Sequence, residues 1–292
     1  MTPPPAERDE SPTEAPGDAS AATERLRARL AAVPLDVALV TRLARALGDA
    51  AVAPLLDALS GAPERDARAL LDLLATLGPA VGEQCTARLA AAPASPHRLL
   101  AVIARIPELP AAFSATPYTA HAHPDVRREA FKILLRRPGT RDLAICTAID
   151  DADERLVLSG VSGAAAGCPE RAVPLLMRRA DDAALRPELR VLAVRALGTV
   201  RQDAVRDWLV ARARGRRRFG GRARLAPTSP DLLATLAVLA TIWQGDPAAE
   251  AVLAVARRSP DVEVRLATAL RAQGLAGPPT PTAGIPSWRP RS

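Results

Sequence analysis

Aromatic residues, lysine and asparagine are nearly missing from this chain. Only 2% of the 292 residues are aromatic, Lys132 is the only lysine, and asparagine is absent. Strands favour aromatic and β-branched side chains, whereas the abundant Ala and Leu are strong helix formers. The composition therefore predicts an all-α chain. Scarce Lys and Asn beside abundant Ala, Arg, Gly and Pro are typical of a high-GC genome, so arginine content alone is weak evidence of function.

Cysteine is also scarce, and long apolar runs are missing. Cys85, Cys146 and Cys168 are widely spaced and form no C-x-x-C motif. This pattern favours buried, reduced thiols in a cytoplasmic protein over a disulfide framework. The most apolar run, LLATLAVLATIW, is too short to cross a bilayer, and the N-terminal stretch lacks the apolar core of a signal peptide. We therefore expect a cytoplasmic protein that does not contact a membrane.

The net charge of +7 is local rather than general. Seven of the 39 basic residues lie in one acid-free stretch, and without them 32 basic residues remain against 32 acidic ones. These seven are Arg212, Arg214, Arg216, Arg217, Arg218, Arg222 and Arg224. A neutral body with one basic segment argues against a surface that coats DNA in general, and it indicates a local contact with an anion.

Residues that end helices recur at a regular distance. Gly or Pro follows an apolar run at eight places, and six of the seven steps between them are 29 to 31 residues long; the other is 47. The positions are Gly48, Gly78, Pro107, Pro138, Gly167, Gly198, Gly245 and Gly274. Gly is favoured just past a helix end because it adopts positive φ at little cost. A fixed period of this length predicts a repeat protein.

Each period holds two helical patterns separated by a short polar turn. Pro often stands at the first position of the second helix, where its missing N–H costs nothing, and Ser95, Ser229 and Ser259 precede such prolines as predicted N-caps. One helix pair cannot bury its apolar face alone, but stacked pairs can. We therefore predict an α-solenoid of about eight stacked helix-turn-helix pairs over residues 23–274, with disordered tails at 1–22 and 275–292.

The helices also carry a family resemblance. PDVRREAFKILL (124–135), PELRVLAVRALG (187–198), PDVEVRLATAL (260–270) and the first-helix stretch AVPLL (172–176) resemble the HEAT-repeat family, especially its short bacterial, phycobilisome-lyase-like repeats. The resemblance covers about residues 23–274 and implies a HEAT-like solenoid. It implies little about function, because solenoids mainly supply a curved binding surface. The Pro-broken stretch PELPAAFSATPYTAHA matches least well.

Few residues indicate catalysis or metal binding. His121, His123 and Asp125 stand at alternate positions, but this is a thin ligand set for zinc, and His123 is more simply a helix-start residue. HEAT-like hydroxylases use paired His-Glu motifs for iron, and the chain has no such pair. A bilin-lyase-like enzyme, the third functional hypothesis, is disfavoured because aromatic pocket residues are scarce. We expect no metal, no cofactor and no enzymatic activity.

Two glycines fall inside one predicted second helix, in LSGVSGAAAG. Gly inside a helix costs about 1 kcal/mol relative to Ala, so Gly160 and Gly163 need a reason. Close packing of helices between repeats, which small residues permit, is the favoured explanation. The other is a shallow groove on the concave face, where the backbone of a partner approaches.

The 47-residue step is one period plus 17 residues, and it predicts an arginine-rich insertion at 214–228 between the two helices of a pair. Its glycines, Gly215 among them, are expected to make it flexible. Three hypotheses remain open. The insertion is a tolerated surface loop, or it contacts a protein, the acidic N-terminal stretch of this chain included. Alternatively, it binds nucleic acid through phosphate contacts, with Phe219 stacking on a base.

Taken together, the sequence favours a scaffold or adaptor that binds a protein partner on the concave face of the solenoid. The second helices would line that face, and Arg127, Arg190 and Arg265 recur near the start of those helices. The HEAT resemblance implies that residues at this position form polar ladders between neighbouring repeats. The alternative is binding of nucleic acid, or another polyanion, through the arginines of residues 212–224.

Overall fold

Regular structure in the described part of the chain is helical. The computed structural model describes residues 16–93, 95–215 and 224–269, and within them the only strand-like feature is an isolated bridge between Arg214 and Leu225. The helices are α1 (Pro16–Leu30), α2 (Val37–Leu47), α3 (Val52–Gly61), α4 (Glu64–Leu74), α5 (Ala80–Ala90), α6 (Pro96–Ile103), α7 (Pro124–Leu135), α8 (Pro138–Ile149), α9 (Glu154–Ala165), α10 (Val173–Asp181), α11 (Pro187–Leu197), α12 (Asp203–Ala213), α13 (Pro230–Ile242), α14 (Pro247–Arg257) and α15 (Val262–Ala269), with short 3-10 turns between some of them. The predicted all-α class is confirmed for these residues. None of the helices described combines the length and the apolar character needed to cross a membrane.

The chain forms two compact units that divide between Pro138 and Gly139. In unit 1, α1, α3 and α5 contact one another in order, as do α4, α6 and α7, and the pairs α1–α2, α3–α4 and α5–α6 pack together. In unit 2, α9, α11, α13 and α15 contact one another in order, α12 contacts α14, and the pairs are α10–α11, α12–α13 and α14–α15. Within each unit, most of these helices pack on a pair partner, and many also pack on a helix of the neighbouring pair, as expected of an α-helical repeat fold.

Helix ends follow the predicted signals at some positions and depart from them at others: Asp261 rather than Ser259 caps α15, and Gly198 ends α11 with φ of −64°. Ser229 caps α13 by accepting the Leu232 N–H at 3.2 Å, and Ser259 accepts the Asp261 N–H at 3.2 Å just ahead of α15. Ser95 occupies the N-cap position of α6, but its side chain makes no capping bond. At the other helix ends, Gly78 and Gly245 have φ of 91° and 83°, a conformation that favours glycine. Capping side chains and glycines with positive φ therefore account for several of the helix ends that recur about every 30 residues.

The pattern is interrupted in unit 1 between α6 and α7, over residues 104–123, which we call the irregular segment. A first helix is expected here, but the segment contains only the 3-10 turn Thr116–Ala120. Prolines explain the loss, because Pro107, Pro110 and Pro117 remove backbone donors and restrict the residues before them. The stretch that least resembles a HEAT repeat is therefore also the least regular structure.

Arginines tie helices that lie about one period apart. Arg136 donates to the carbonyl oxygens of Ala104 at 3.1 Å and Pro107 at 2.6 Å. In unit 2, Arg179 donates to the carbonyl oxygens of Ile149 and Asp151, both at 2.7 Å. The last carbonyls of a helix lack intrahelical partners and carry partial negative charge, so a guanidinium from the next pair satisfies them. Part of the arginine content thus has a structural role.

The ends of the predicted array need one adjustment. Helix α1 begins at Pro16, within the stretch that the sequence predicts to be a disordered tail. Residues 1–15 and 270–292, which hold the rest of the two predicted tails and the last residues of the predicted array, lie outside the described residues.

Candidate functional site

The arginine-rich insertion leaves the body of unit 2 through a narrow neck, formed by residues 213–215 and 224–226. The Gly215 N–H donates to the Arg224 carbonyl oxygen at 2.8 Å, and the Ala226 N–H donates to the Ala213 carbonyl oxygen at 2.9 Å. These bonds flank the antiparallel bridge between Arg214 and Leu225. The two ends of the insertion are therefore joined by backbone pairing as soon as α12 ends.

Gly215 is required by close approach of the backbone. A Cβ atom at this position would lie 2.4 Å from the carbonyl oxygen of Leu225 and 3.0 Å from its carbonyl carbon. No larger residue fits without moving the neck. The sequence predicted that Gly215 makes the insertion flexible, whereas in the structure this glycine allows the two backbones to pair.

The predicted anion-binding residues fall into three groups. Arg216, Arg217, Arg218, Phe219 and Arg222 lie outside the described residues. Arg214 and Arg224 belong to the neck, and both are exposed. Neither of these two forms an ion pair with another described residue. They are the described arginines of the insertion whose charge faces solvent.

Arg212 differs from the other predicted residues, because it lies in the last turn of α12 and its guanidinium is engaged. Its side chain is only 17% exposed and forms an ion pair with Asp181 at the end of α10. It also donates to the Ala180 carbonyl oxygen at 2.7 Å and lies 5.1 Å from the ring centroid of Trp208. Trp208 Nε1 donates to the same Asp181 carboxylate at 3.0 Å. Arg212 therefore joins α12 to α10.

Asp231 connects this contact to a second arginine. Arg190 on α11 donates through Nε and Nη2 to Asp231 Oδ2 at 3.1 and 3.0 Å, and Arg212 Nη2 lies 3.9 Å from the same oxygen. The three side chains are 17–18% exposed. We call Asp181, Arg190, Arg212 and Asp231 the anchor cluster. It holds α10, α11, α12 and α13 together directly beneath the neck.

The far end of the insertion is also anchored. The Thr228 hydroxyl donates to Asp261 Oδ2 at 2.8 Å, which is a contact with the loop before α15. This hydrogen bond, helped by the Glu263 N–H, lowers the pKa of Asp261 below its ordinary value. The charged form of the carboxylate is therefore favoured at the base of the insertion.

The three predicted ladder arginines share one geometry. Each turns back to the loop that precedes its own helix: Arg127 donates to the carbonyls of His121 and Ala122 at 2.8 and 2.9 Å, and Arg190 donates to the Leu185 carbonyl at 2.6 Å. Arg265 donates to the carbonyls of Ser259 and Pro260 at 2.8 and 2.9 Å. Arg190 additionally reaches Asp231 on the next second helix. The recurring position therefore clamps the turn, and at Arg190 it also links neighbours.

The two helix glycines serve close packing. A Cβ at Gly160 would lie 2.7 Å from the backbone nitrogen of Ile149 and 2.9 Å from the Cβ of Ala148. At Gly163 it would lie 3.2 Å from Ile145 Cγ1. Close helix packing is confirmed, but its predicted place between repeats is wrong, because the contact joins α8 and α9 of one pair.

The cysteines and the candidate metal ligands do not form a reactive or metal-binding group among the described residues. The three cysteines are free, but only Cys85 is buried, whereas Cys146 and Cys168 are half-buried. Burial raises the pKa of the Cys85 thiol to about 12, which disfavours its reactive thiolate. Among the described residues, no group of three or more His, Cys, Asp or Glu side chains has the geometry to hold a metal ion. His121, His123 and Asp125 lie close together at the start of α7.

The contacts of Arg212 have a counterpart in the sequence that is not a motif, namely the spacing of opposite charges. Acid–arginine pairs are separated by about one period: Asp181 and Arg212 by 31 residues, Asp57 and Arg88 also by 31, and Asp150 and Arg178 by 28. A search for opposite charges 28 to 33 residues apart would have found these contacts and assigned Arg212 to the body of unit 2.

Comparison with known proteins gives no family. The chain matches no protein-family model, and no curated protein matches it significantly.

Proposed function

We propose that the chain is a non-enzymatic α-solenoid scaffold that binds a protein partner with the outward face of its second helices. The observation that supports it is the arrangement of the helices in two series within each unit. The second helices α9, α11, α13 and α15 contact one another in order. In the proposed solenoid, their outward faces would together form the binding surface. The helices α4, α6 and α7 of unit 1 also contact one another in order.

Two of the arginine ties in unit 2 start from the first helices α10 and α12, not from the second helices that would form this surface. The guanidinium groups of Arg179 and Arg212 already donate hydrogen bonds to the carbonyl oxygens of Ile149 and Ala180, about one period away. On α9, in contrast, Leu158 is 40% exposed, beside exposed Ser159 and Ser162. An exposed leucine among small side chains suits contact with an apolar side chain of a partner. A cytoplasmic location, where thiols stay reduced, is part of the same proposal.

One helix pair offers a matched test of the binding face. Leu143 on the first helix α8 is 48% exposed, and Leu158 on the second helix α9 is 40% exposed. The full chain is used to capture partners from the source cell, and each captured protein is purified for direct titration. We expect Leu158→Glu to weaken binding by tenfold or more, about 1.4 kcal/mol, because a charge is desolvated in the contact.

The control variant is Leu143→Glu, which adds the same charge to the other layer. It should leave the dissociation constant within about threefold of the parent value, or roughly 0.7 kcal/mol. The proposal fails if Leu143→Glu has the larger effect, or if no captured protein binds the purified chain directly.

The neck gives specific support to a second function, binding of a polyanion through the arginine-rich insertion. Exposed Arg214 and Arg224 flank a backbone pair that holds the two ends of the insertion together, and four further arginines stand between them in the sequence. Binding to phosphates would weaken steeply with salt, because each contact releases counterions. The acidic N-terminal stretch or an acidic protein would compete for the same arginines.

A deletion that preserves the neck tests this second function. Residues 216–223 are removed and the ends are joined by a short Gly-Ser turn, and binding of DNA and RNA is measured by fluorescence anisotropy across a salt series. Binding by the parent that is lost in the deletion supports a nucleic-acid role. Absence of binding by the parent at low salt refutes it.

A further inference from the structure

The only three histidines of the chain meet at one place in unit 1. His97 is in the first turn of α6, whereas His121 and His123 end the irregular segment just before α7. The rings of His97 and His123 are stacked, with centroids 6.1 Å apart and planes 18° from parallel. Residues far apart in sequence therefore place all the imidazole groups at the joint between α6 and α7.

Two of these imidazoles accept hydrogen bonds from the backbone through Nδ1. His121 Nδ1 accepts the His123 N–H at 3.0 Å, and His123 Nδ1 accepts the Asp125 N–H at 3.3 Å. The second bond is the N-cap of α7. An imidazole nitrogen accepts a hydrogen bond only when it carries no proton, so both bonds require the neutral ring. Asx-type acceptors are common in such turns, whereas histidine makes the same contact conditional on protonation.

The surrounding charges decide which way protonation acts. Cations dominate on α6 and α7: Arg98 acts on His97, Arg127 donates to the carbonyls of His121 and Ala122, and Arg128 pairs with Asp125. The positive end of the α7 dipole adds to them. A protonated ring in this turn would meet these positive charges.

Anionic groups oppose this effect at His123. Asp125 Oδ2 lies 3.5 Å from His123 Nδ1, and Glu129, one turn along α7, carries a buried carboxylate oxygen without a hydrogen-bond partner, its other oxygen being paired with Lys132. Tyr118 of the 3-10 turn packs on Phe113, at 6.3 Å between ring centroids. For His97, burial first and Arg98 second lower the pKa below its ordinary value, while Asp125 and Glu129 act in the opposite direction.

We propose that the three histidines form a proton-sensitive latch that closes the turn before α7 when the rings are neutral and opens this turn when they are protonated. A proton taken from solvent by His123 Nδ1 turns this atom from acceptor to donor. The Asp125 N–H then loses its cap, and the new N–H is drawn to the Asp125 carboxylate instead. Protonation of His121 likewise removes the acceptor of the His123 N–H. Acidification is therefore the change that opens the latch, since histidine is the side chain whose charge responds to pH near neutrality.

Opening the latch changes a local structure and leaves the helices of unit 1 in place. Arg127, Arg136 and Arg137 still hold the irregular segment by its carbonyls, and arginine does not titrate in this range. The backbone around residues 116–125 becomes exposed to solvent at low pH.

Asparagine supplies a matched variant, because its Oδ1 accepts a backbone N–H at any pH. Hydrogen exchange of the full chain is followed by mass spectrometry at pH 7.5 and pH 5.5, with intrinsic rates corrected for pH. In the parent we expect protection in peptides covering residues 116–127 to fall about tenfold on acidification, equivalent to about 1.4 kcal/mol of local opening. Peptides from α4 serve as the internal reference and should not change.

In the double variant His121→Asn and His123→Asn, protection of residues 116–127 should be the same at both pH values. Circular dichroism checks that the variant is folded; if it is not, the single variant His123→Asn replaces it and should lose the larger part of the pH effect. The proposal is overturned if protection in the parent does not change with pH, or if the asparagine variant shows the same fall as the parent.

Discussion

The two interruptions of the helix-pair pattern are anchored in different ways. In unit 1, side chains hold the irregular segment: Arg127 and Arg137 donate to its carbonyls, and His123 caps the helix that follows. In unit 2, backbone bonds close the neck of the insertion, and Gly215 permits the close approach. One interruption therefore depends on side-chain chemistry, and the other depends on the absence of a side chain.

This difference determines what each interruption responds to. Backbone amides do not titrate in the physiological range, so the neck is indifferent to pH, whereas an imidazole cap depends on its protonation state. Conversely, a side-chain anchor can be removed without a clash, but the neck tolerates no added side chain, because a Cβ at Gly215 would lie 2.4 Å from a carbonyl oxygen.

The largest effect is expected at Asp231, whose loss would leave the anchor cluster with two guanidinium groups and one fewer carboxylate. Arg190 and Arg212 are each 17% exposed. These side chains are only partly buried and both arginines keep other acceptors, so Asp231→Ala should lower the free energy of unfolding in urea by about 2 kcal/mol, less than the loss of a fully buried ion-pair partner. Asp203 pairs with Arg206 but is 82% exposed, so Asp203→Ala should cost less than about 1 kcal/mol. Equal losses in both variants would contradict an anchoring role for the cluster.

The next effect tests the backbone neck. Gly215→Ala should destabilise unit 2 by about 2 kcal/mol, because the new Cβ forces Leu225 away and breaks the neighbouring hydrogen bonds. Exchange of the Ala226 amide should rise in the same variant. The matched control is Gly139→Ala in α8, where nothing lies within 4 Å of the new Cβ, and it should be neutral or stabilising. A neutral Gly215→Ala would show that the neck adapts.

A smaller effect tests the side-chain anchors of unit 1. Arg127→Ala removes two hydrogen bonds to loop carbonyls, one of them partly buried, and should cost about 1.5 kcal/mol. Arg265 makes the same two contacts in unit 2, but both are exposed, so Arg265→Ala should cost less than about 1 kcal/mol. Urea denaturation of both variants measures the difference. The reverse order would mean that burial does not set the strength of these clamps.

The fold class could be predicted because each helix pair carries its own local signals. Apolar spacing, Pro at the start of α7, α11 and α13, and Gly at helix ends are short-range features, and one period shows them as well as eight do. The sequence also marks the irregular segment as a poor match to the HEAT repeat. The replacement of a helix by a 3-10 turn could not be predicted in the same way, because it depends on where the three prolines of the segment fall.

The site was harder to predict because its contacts are long-range. Arg212 belongs by sequence to the basic stretch, yet Asp181 and Asp231 hold it in the body of unit 2. Gly215 has the composition of a flexible loop, but its role depends on Leu225 across the neck. The meeting of His97 with His123 likewise requires α6 and α7 to pack together. Composition shows which groups are available, and only packing shows which of them are already engaged.

The smallest effect is the pH dependence of unit 1, measured as the urea midpoint at pH 7.5 and 5.5. Burial lowers the pKa of His97, so the unfolded chain binds a proton more readily than the folded one. The stability that the neutral His97 ring contributes is therefore fully present above the pKa of an unfolded histidine, about 6.5. This stability is lost as the pH falls below that value. His97→Gln should reduce this loss, while carboxylates that titrate in both proteins cancel in the difference. A parent that becomes more stable on acidification, or a variant with an unchanged slope, would contradict this sign.

In both proteins, exchange of the Gly215 and Ala226 amides at the neck should stay constant once intrinsic rates are corrected, because no imidazole contacts the described part of that backbone pair.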